Sequence, residues 1–152
     1  EVVYHSRSAA PADVERELGA RRVTFEALLE RSDVVTLHAP LNDATRHRFG
    51  AAELASMRRG AILINTARGP IVDEAAIAGA LEDGPLFGVG LDVYEDEPDV
   101  HPSLIARDDV TMLPHLGSAT DAARGRMART ALADALRVLR GEAPLHLVPE
   151  LE

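Results

Sequence analysis

The sequence predicts an α/β fold in which helices cover both faces of a doubly wound parallel sheet. Its candidate strands are short, continuous apolar runs, as expected for strands buried on both faces. They alternate with helical segments, which is the order that produces parallel pairing. Of the 152 residues, 46% are hydrophobic and only 3% are aromatic, so the core must be aliphatic.

The elements can be justified one by one along the chain. Residues 2–4 form an apolar strand, and the helix at 12–18 begins after Pro11 and ends at Gly19. Thr24 and Asp73 are candidate caps of two later helices. The remaining elements are, in order, helix 24–30, strand 33–37 ended by Pro40, helix 51–57, strand 61–65, helix 74–82, strand 87–93, strand 110–113 and helix 118–139.

The long C-terminal helix has an apolar stripe that predicts core packing. Its members recur at spacings of three and four residues: Met127, Ala131, Leu132, Ala135, Leu136 and Leu139. Gly141 and Pro144 end the helix.

Composition and charge exclude several classes of function. Sixteen basic and 25 acidic residues give a net charge of −9, which argues against nucleic acid and anionic membranes as partners. The chain has no cysteine, which excludes disulfides and thiolate chemistry. No apolar run is long enough for a membrane span, and residues 1–4 lack the features of a signal peptide, so we expect a cytoplasmic location.

Polar residues follow each predicted strand, at the edge where ligands bind in doubly wound sheets. These segments are His5–Ser8, His38–Pro40, Asn65–Gly69, Asp92–Pro98 and Pro114–Ser118.

Four ordered motifs carry a family resemblance: DVVTLHAPL at 33–41, GAILINTARG at 60–69, LDVY at 91–94 with Glu97-Pro98, and PHLG at 114–117. In order and spacing they resemble the cofactor domain of the D-isomer-specific 2-hydroxyacid dehydrogenases, closest to glyoxylate and hydroxypyruvate reductases. The resemblance covers nearly the whole chain. It implies a Rossmann-type fold and a small 2-keto or 2-hydroxy acid as substrate.

The resemblance assigns three catalytic positions, Arg68, Glu97 and His115. A guanidinium offers a planar fork of donors that can grip the carboxylate of a 2-keto acid. An imidazole titrates near neutrality and can give a proton to the developing alkoxide, and a carboxylate beside it favours the imidazolium. The non-functional alternatives are that Arg68 is a solvated surface charge and that Glu97 belongs to an acidic surface loop. The other four histidines are interpreted as surface or structural residues.

The same resemblance implies a nicotinamide cofactor site and no metal site. Asp92 is expected near the carboxamide, and the other cofactor-binding positions are His38, Pro40, Thr45, Thr66, Ala67, Gly117 and Ser118. NAD sites place an acid after the second strand of the fold, whereas NADP sites place an arginine there. Ser6, Arg7 and Ser8 follow the corresponding strand without an acid. We therefore predict a preference for NADP(H), with NAD(H) as the alternative.

Two features depart from the family pattern. The Gly-x-Gly-x-x-Gly fingerprint is absent from the sequence, so we expect a fragment whose sheet is open in the middle and which binds cofactor poorly by itself. On this interpretation, residues 1–140 are a partial NAD(P)-binding domain of a parent about twice as long. Residues 141–152 are a tail leading back toward its substrate domain. The second departure is Arg48, where the family motif after Thr45 usually has an aliphatic residue, which puts in doubt the packing of the short helix that follows.

Two other functions are compatible with the same fold. One is a dinucleotide-sensing protein that binds partners as corepressors do. The other is a non-catalytic fragment that only dimerises. In the enzyme interpretation we also expect a homodimer.

Overall fold

The computed structural model describes residues 1–147, which belong to two compact units. The first unit is Glu1–Pro114, and the second starts at His115. The predicted tail at 141–152 is therefore described only as far as residue 147, and its last five residues lie outside the described residues. The domain boundary at residue 140 stays a prediction.

The first unit alternates strands and helices, and the predicted α/β class with a Rossmann-type parallel sheet is confirmed. A single 3₁₀ turn, Gly69–Ile71, lies between the fourth strand and the fourth helix. The elements are β1 (Val2–Tyr4), α1 (Ala12–Leu18), β2 (Ala20–Arg22), α2 (Phe25–Arg31), β3 (Val34–Leu37), α3 (Ala51–Ala55), β4 (Ala61–Asn65), α4 (Glu74–Glu82), β5 (Leu86–Leu91), α5 (Pro102–Ile105) and β6 (Val110–Met112).

The strands of this unit pair in two parallel sheets. β1 pairs with β2, and the other strands form a four-stranded sheet in the order β3-β4-β5-β6. Neither β1 nor β2 joins the larger sheet among the described residues. This division agrees with the expectation of a sheet that is open in the middle.

Two elements were not predicted from the sequence. β2 is Ala20-Arg21-Arg22. Two of its three residues are charged, so the segment shows no hydrophobic pattern that would predict a strand. α5 has only four residues, which is too short for a helical period to be recognised. The short helix predicted at 51–57 is present as α3, and the segment before it, at 43–47, forms hydrogen-bonded turns.

Helix ends follow the predicted capping chemistry. Gly19 has φ 59° and ends α1, donating its N–H to the carbonyl of Arg16. Thr24 and Asp73 accept backbone N–H groups at the N-termini of α2 and α4 with their side chains. These two caps confirm the predicted starts of both helices.

The core of the first unit is mostly aliphatic, as predicted from composition, but it also contains Phe25, Phe49 and Tyr94. Leu54, Leu63, Ile77 and Leu104 are fully buried around the four-stranded sheet. The guanidinium of Arg48 lies 4.0 Å from the centre of the Phe25 ring. This cation–π contact explains how an arginine is accommodated where the family pattern has an aliphatic residue.

The second unit contains the long helix α6 (Asp121–Leu139), capped by the Thr120 side chain. The prediction that its apolar stripe packs in a core is wrong, because none of the residues of α6 is buried. Met127, Leu132 and Leu139 are 61%, 60% and 82% exposed. An amphipathic pattern predicts that a face can be covered, but it carries no information about which surface covers it. No helix within residues 1–147 is both long and apolar enough to cross a membrane.

Candidate functional site

A surface cleft of about 550 Å³ lies at the carboxyl ends of β3 and β4. Ligands bind at this edge in doubly wound sheets. Five of the predicted site residues line the cleft together with Ala39 and Leu41: His38, Pro40, Thr66, Ala67 and Arg68. The structure therefore brings the residues predicted after two different strands to one place.

Asn65 fixes the backbone of two cleft-lining residues, Ala67 and Arg68, and its role was not predicted. The side chain is 1% exposed at the end of β4. Its Oδ1 accepts the N–H of Ala67 at 3.1 Å, and its Nδ2 donates to the carbonyl of Arg68 at 3.0 Å. An asparagine that bonds the backbone two and three residues ahead forms a local turn. This turn directs Arg68 away from the sheet, and an Asn at the last position of a strand was the available signal.

Arg68 itself is exposed at the edge of the cleft. Its Nη1 donates to the carbonyl of Ala67 at 2.7 Å. Since a guanidinium has five N–H donors, this one bond leaves donors that can face a ligand. The position suits the binding of a carboxylate.

Gly69 brings the turn that follows Arg68 against a second loop. A Cβ placed on Gly69 would lie 1.7 Å from the carbonyl oxygen of Tyr94 and 2.5 Å from the nitrogen of Glu95. Only a glycine permits this approach. The turn that carries Arg68 and the loop that starts at Tyr94 are therefore in direct backbone contact.

That loop, residues 94–101, carries the predicted carboxylate Glu97. The exposed Glu97 side chain accepts the N–H of Tyr94 at 3.0 Å with its Oε1. Burial, followed by the nearby charges of Asp92 and Glu74, raises the pKa of the Tyr94 hydroxyl. Tyr94 donates that hydroxyl to the carbonyl of Leu113 at 2.8 Å.

A buried carboxylate, Glu74, holds both ends of the same loop and was missed from the sequence. It is the first residue of α4 and is 4% exposed. Its Oε1 accepts the N–H of Glu95 at 2.7 Å, and its Oε2 accepts the N–H of His101 at 3.1 Å. Acidic residues in a first helical turn are common on surfaces, so the sequence offered no signal for this role.

Two predicted residues are held by hydroxyl contacts beside the cleft. His38 and the hydroxyl of Thr36 are hydrogen-bonded at 3.0 Å through Nε2 of the ring. Thr45 does not line the cleft, but its hydroxyl donates to the carbonyl of Pro40 at 2.7 Å. Thr45 thus holds the cleft-lining loop through the carbonyl of Pro40.

Ser6, Arg7 and Ser8, which are predicted to face the 2′-phosphate of NADP(H), follow β1, and an arginine of β2 holds their backbone. Arg22 donates to the carbonyl of Ser6 through Nη2 at 2.6 Å and to the carbonyl of Arg7 at 2.7 Å. The hydroxyl of Ser6 donates to the carbonyl of Ser8 at 2.6 Å. The Arg7 and Ser8 residues are exposed. Arg22 was not predicted as part of the site, because its contacts depend on the pairing of β1 with an unpredicted strand.

In the second unit, His115, Gly117 and Ser118 lie in the exposed segment that precedes α6. His115 has φ 53°, a left-handed conformation that costs roughly 1–2 kcal/mol for an L-residue. Such conformations concentrate at functional positions. The carbonyl of Ser118 accepts the N–H of Thr120 at 2.9 Å.

The other four histidines contact protein side chains or helix ends. His5 packs against the Phe25 ring, His101 caps α5, and His146 contacts Asp134 at 2.9 Å. His47, which has φ 47°, contacts Glu95 at 2.5 Å. Within residues 1–147, no group of three or more metal-ligating side chains is placed to hold an ion.

The residues present fit a nicotinamide nucleotide. The cleft volume lies within the roughly 300–1,000 Å³ that small-molecule sites occupy. Asp92, which is 5% exposed directly after β5, places a carboxylate acceptor at the same edge of the sheet. A carboxylate there suits the amide hydrogens of a carboxamide.

Comparisons with known proteins agree with this geometry. Residues 1–117 match the family described as D-isomer specific 2-hydroxyacid dehydrogenase, NAD binding domain. A glyoxylate reductase from Thermococcus litoralis is 44% identical over 147 residues, which are 97% of this chain and 44% of that protein. This chain therefore spans less than half of that relative's length.

Two solved structures have the same fold. The holo form of D-mandelate dehydrogenase from Rhodotorula graminis superposes with a TM-score of 0.90 at 35% identity, covering 98% of this chain and 44% of that one. An NADPH-dependent glyoxylate/hydroxypyruvate reductase from Sinorhizobium meliloti, in complex with NADP and malonate, gives a TM-score of 0.87 at 31% identity. It is matched over 97% of this chain and 45% of its own.

Proposed function

Because the chain belongs to the D-isomer specific 2-hydroxyacid dehydrogenases through their NAD-binding domain, we propose that it is the cofactor-binding portion of a 2-keto acid reductase. The substrate is a small acid of the glyoxylate or hydroxypyruvate type, and the product is the D-hydroxy acid. The observation that carries the proposal is the position of Arg68. Asn65 and Gly69 hold it at the edge of the cleft formed at the carboxyl ends of β3 and β4.

The cofactor proposal places a nicotinamide nucleotide along this edge. When bound, the nucleotide supplies the hydride, which no side chain can supply. His38, Pro40, Thr66 and Ala67 would contact it from the cleft, and the carboxylate of Asp92 would accept from its carboxamide. Thr45 would act indirectly, by holding Pro40. Gly117 and Ser118 of the second unit are proposed as further cofactor contacts from the family pattern alone.

The chain's own side chains bind the substrate and move the proton. The guanidinium of Arg68 grips the substrate carboxylate and polarises the carbonyl that is reduced. His115 donates a proton to the developing alkoxide in reduction and accepts it back in oxidation. Glu97 is proposed, from the family pattern alone, as the carboxylate that assists His115.

The first experiment measures NADPH oxidation by the full-length protein with glyoxylate and with hydroxypyruvate. We expect turnover, and we expect Arg68→Ala to lower kcat/KM by at least roughly 100-fold, since a guanidinium can form two charged hydrogen bonds to a carboxylate and each contributes about 1.5–3 kcal/mol. Arg58→Ala is the matched control, because Arg58 is exposed and paired with Asp33 away from the cleft. Equal activity of the two variants would contradict the role of Arg68.

His115 is tested in the same assay. Loss of a general acid and base lowers kcat by about 10² to 10⁴. We expect His115→Gln to show this loss and His146→Gln to retain activity, since His146 is an exposed residue paired with Asp134. A His115→Gln variant with unchanged kcat would remove His115 from the proposal.

We further propose a preference for NADP(H) over NAD(H). The supporting observations are an arginine between two serines after β1, the bracing of this loop by Arg22, and the absence of acidic residues from positions 5–10. A 2′-phosphate pairs with a guanidinium, whereas a ribose 2′-hydroxyl bonds to an acid.

Arg7→Ser tests this preference. We expect kcat/KM for NADPH to fall roughly tenfold to hundredfold, because one charged hydrogen bond to the 2′-phosphate is lost. The value for NADH should change little. Arg21→Ser changes the net charge equally, but Arg21 pairs with Glu1 at 2.6 Å, so the cofactor ratio should stay constant. An unchanged ratio in Arg7→Ser would refute the preference.

The family resemblance also leads us to propose a cytoplasmic homodimer. Sedimentation of the full-length protein measures its mass directly, and cell fractionation locates it. A monomeric mass would contradict the proposed assembly.

A further inference from the structure

We propose that Glu74 is a positioning residue, which holds the loop carrying Glu97 in register with the turn carrying Arg68. This inference rests on the function proposed above, because it assigns Glu74 to the geometry of that site. It concerns a residue that touches neither substrate nor cofactor in the proposal. It acts through the backbone of residues 94–101.

Two hydrogen bonds join one carboxylate to both ends of the loop. Glu95 lies at the start of the loop and His101 at its end, and their N–H groups reach the two different oxygens of Glu74. Glu97 lies between these two attachment points. A shift of the Glu74 carboxylate therefore moves the backbone on both sides of Glu97.

The same residue is fixed to the Arg68 side of the site. Glu74 begins α4, three residues after the 3₁₀ turn Gly69–Ile71. Gly69 packs directly on the Tyr94–Glu95 peptide. The loop thus contacts the turn after Arg68 at one point and the first residue of α4 at another. Two points of contact prevent the loop from pivoting about Gly69.

The burial of this carboxylate argues against an incidental contact. A carboxylate that is 4% exposed has lost most of its hydration, which is costly unless hydrogen bonds replace it. Here two backbone N–H groups and the N-terminus of a nine-residue helix stabilise the charge. Glu95 returns a contact, accepting the N–H of Glu74 at 3.5 Å with its Oε2 and contacting His47 with its Oε1.

A second helix provides a matched control. Glu53, in the first turn of α3, accepts the N–H of Gly50 at 3.2 Å and is half-buried. Glu53→Gln and Glu74→Gln are the same chemical change at the start of a helix. Only Glu74 contacts the loop that carries Glu97. The amide of Glu74→Gln presents an NH₂ group to one of the two N–H donors, so at least one loop bond is lost.

The test combines amide hydrogen exchange with a kinetic double-mutant cycle on the full-length protein. We expect Glu74→Gln to accelerate exchange at the N–H groups of residues 95 and 101, whereas Glu53→Gln leaves them unchanged. We expect kcat to fall roughly tenfold to hundredfold in Glu74→Gln with little change in KM for the keto acid, as misplacement of a reacting group predicts. A purely structural residue would not produce this split.

The double-mutant cycle tests whether Glu74→Gln lowers kcat through Glu97. If it does, Glu74→Gln costs less than about twofold in the Glu97→Gln background, because the group that it positions is already lost. Equal fold losses in both backgrounds would overturn the proposal, as would unchanged exchange at residues 95 and 101. If Glu74→Gln does not fold, Glu74→Asp is compared in the same way, since it keeps the charge but shortens the reach.

The outcome also separates this inference from the function on which it rests. A wild-type protein that reduces no 2-keto acid would overturn the proposed function and, with it, the catalytic part of this inference. A wild-type protein that is active, combined with unchanged exchange in Glu74→Gln, would overturn the role of Glu74 alone.

Discussion

Gly69→Ala tests the packing on which the candidate site depends. The added Cβ would lie 1.7 Å from the carbonyl oxygen of Tyr94, and contacts below 3.0 Å are not tolerated, so the atoms must separate by about 1.3 Å. Such overpacking costs about 1–3 kcal/mol. The displaced peptide also contains the N–H of Glu95, whose 2.7 Å bond to buried Glu74 would break at a cost of about 1–3 kcal/mol. We therefore expect a destabilisation of about 2–6 kcal/mol.

Urea unfolding without nucleotide measures this effect, and Gly79→Ala is the control. Gly79 lies inside α4, and a Cβ there meets no atom within 4 Å. Alanine at this helical position stabilises by about 0.5–1 kcal/mol, so the two glycine variants should change the free energy of unfolding in opposite directions. We also expect Gly69→Ala to lose keto acid reduction. A Gly69→Ala protein within about 1 kcal/mol of wild type would refute the close approach of the two loops.

Three further predictions concern the scaffold. Thr24→Ala removes the cap of α2 and should cost about 1 kcal/mol in urea unfolding, and no measurable loss would contradict the capping contact. Arg48→Leu should change the free energy of unfolding by less than about 1 kcal/mol, because an exposed cation–π contact with Phe25 contributes about 0.5–1 kcal/mol and leucine can also pack on the ring. A larger loss would contradict the interpretation that the contact with Phe25 is the main contribution of Arg48 to stability. The Asp134 carboxylate accepts the backbone N–H of residue 145, and this bond, followed by contacts with residue 146, lowers the pKa of Asp134 below its ordinary 3.8. The contact of Asp134 with residues 145 and 146 should therefore persist above pH 3.8 and be lost as the pH falls through the lowered pKa. The amide chemical shifts of residues 145 and 146 should follow this titration in the wild type and should not show it in Asp134→Asn.

Most of the helices and strands were predictable because each of them leaves a local pattern in the sequence. The apolar strands β3 and β4 lie between recognisable breakers, and Thr24 and Asp73 begin helices with side chains that suit a cap. The cleft was predictable for a different reason. Parallel strands place their carboxyl ends at one edge, so residues after β3 and after β4 had to meet there. Arg68 could be located from sequence on this topological argument together with the motif around it.

The limits of sequence reasoning are clearest in Asn65 and Arg22. The asparagine belongs to the GAILINTARG motif, yet only the structure shows that its amide bonds the backbone of Ala67 and Arg68 and so forms the turn that carries Arg68. The arginine lies in a three-residue strand that hydrophobic periodicity cannot detect, and its bonds to the 6–8 loop exist only because β1 pairs with β2. Both side chains act on backbone groups, and such contacts leave no trace in composition.

Glu74 shows the same limit more sharply, because the surrounding sequence suggests the opposite environment. A glutamate that follows an N-cap aspartate is predicted to be solvated at a helix start, where negative charge is favourable without burial. Its burial depends on residues 94–101, about twenty positions further along the chain. Those residues fold over it because β5 pairs beside β4 and delivers the loop to that place. The environment of the carboxylate is therefore a property of strand order, which the identity of Glu74 and its neighbours cannot encode locally.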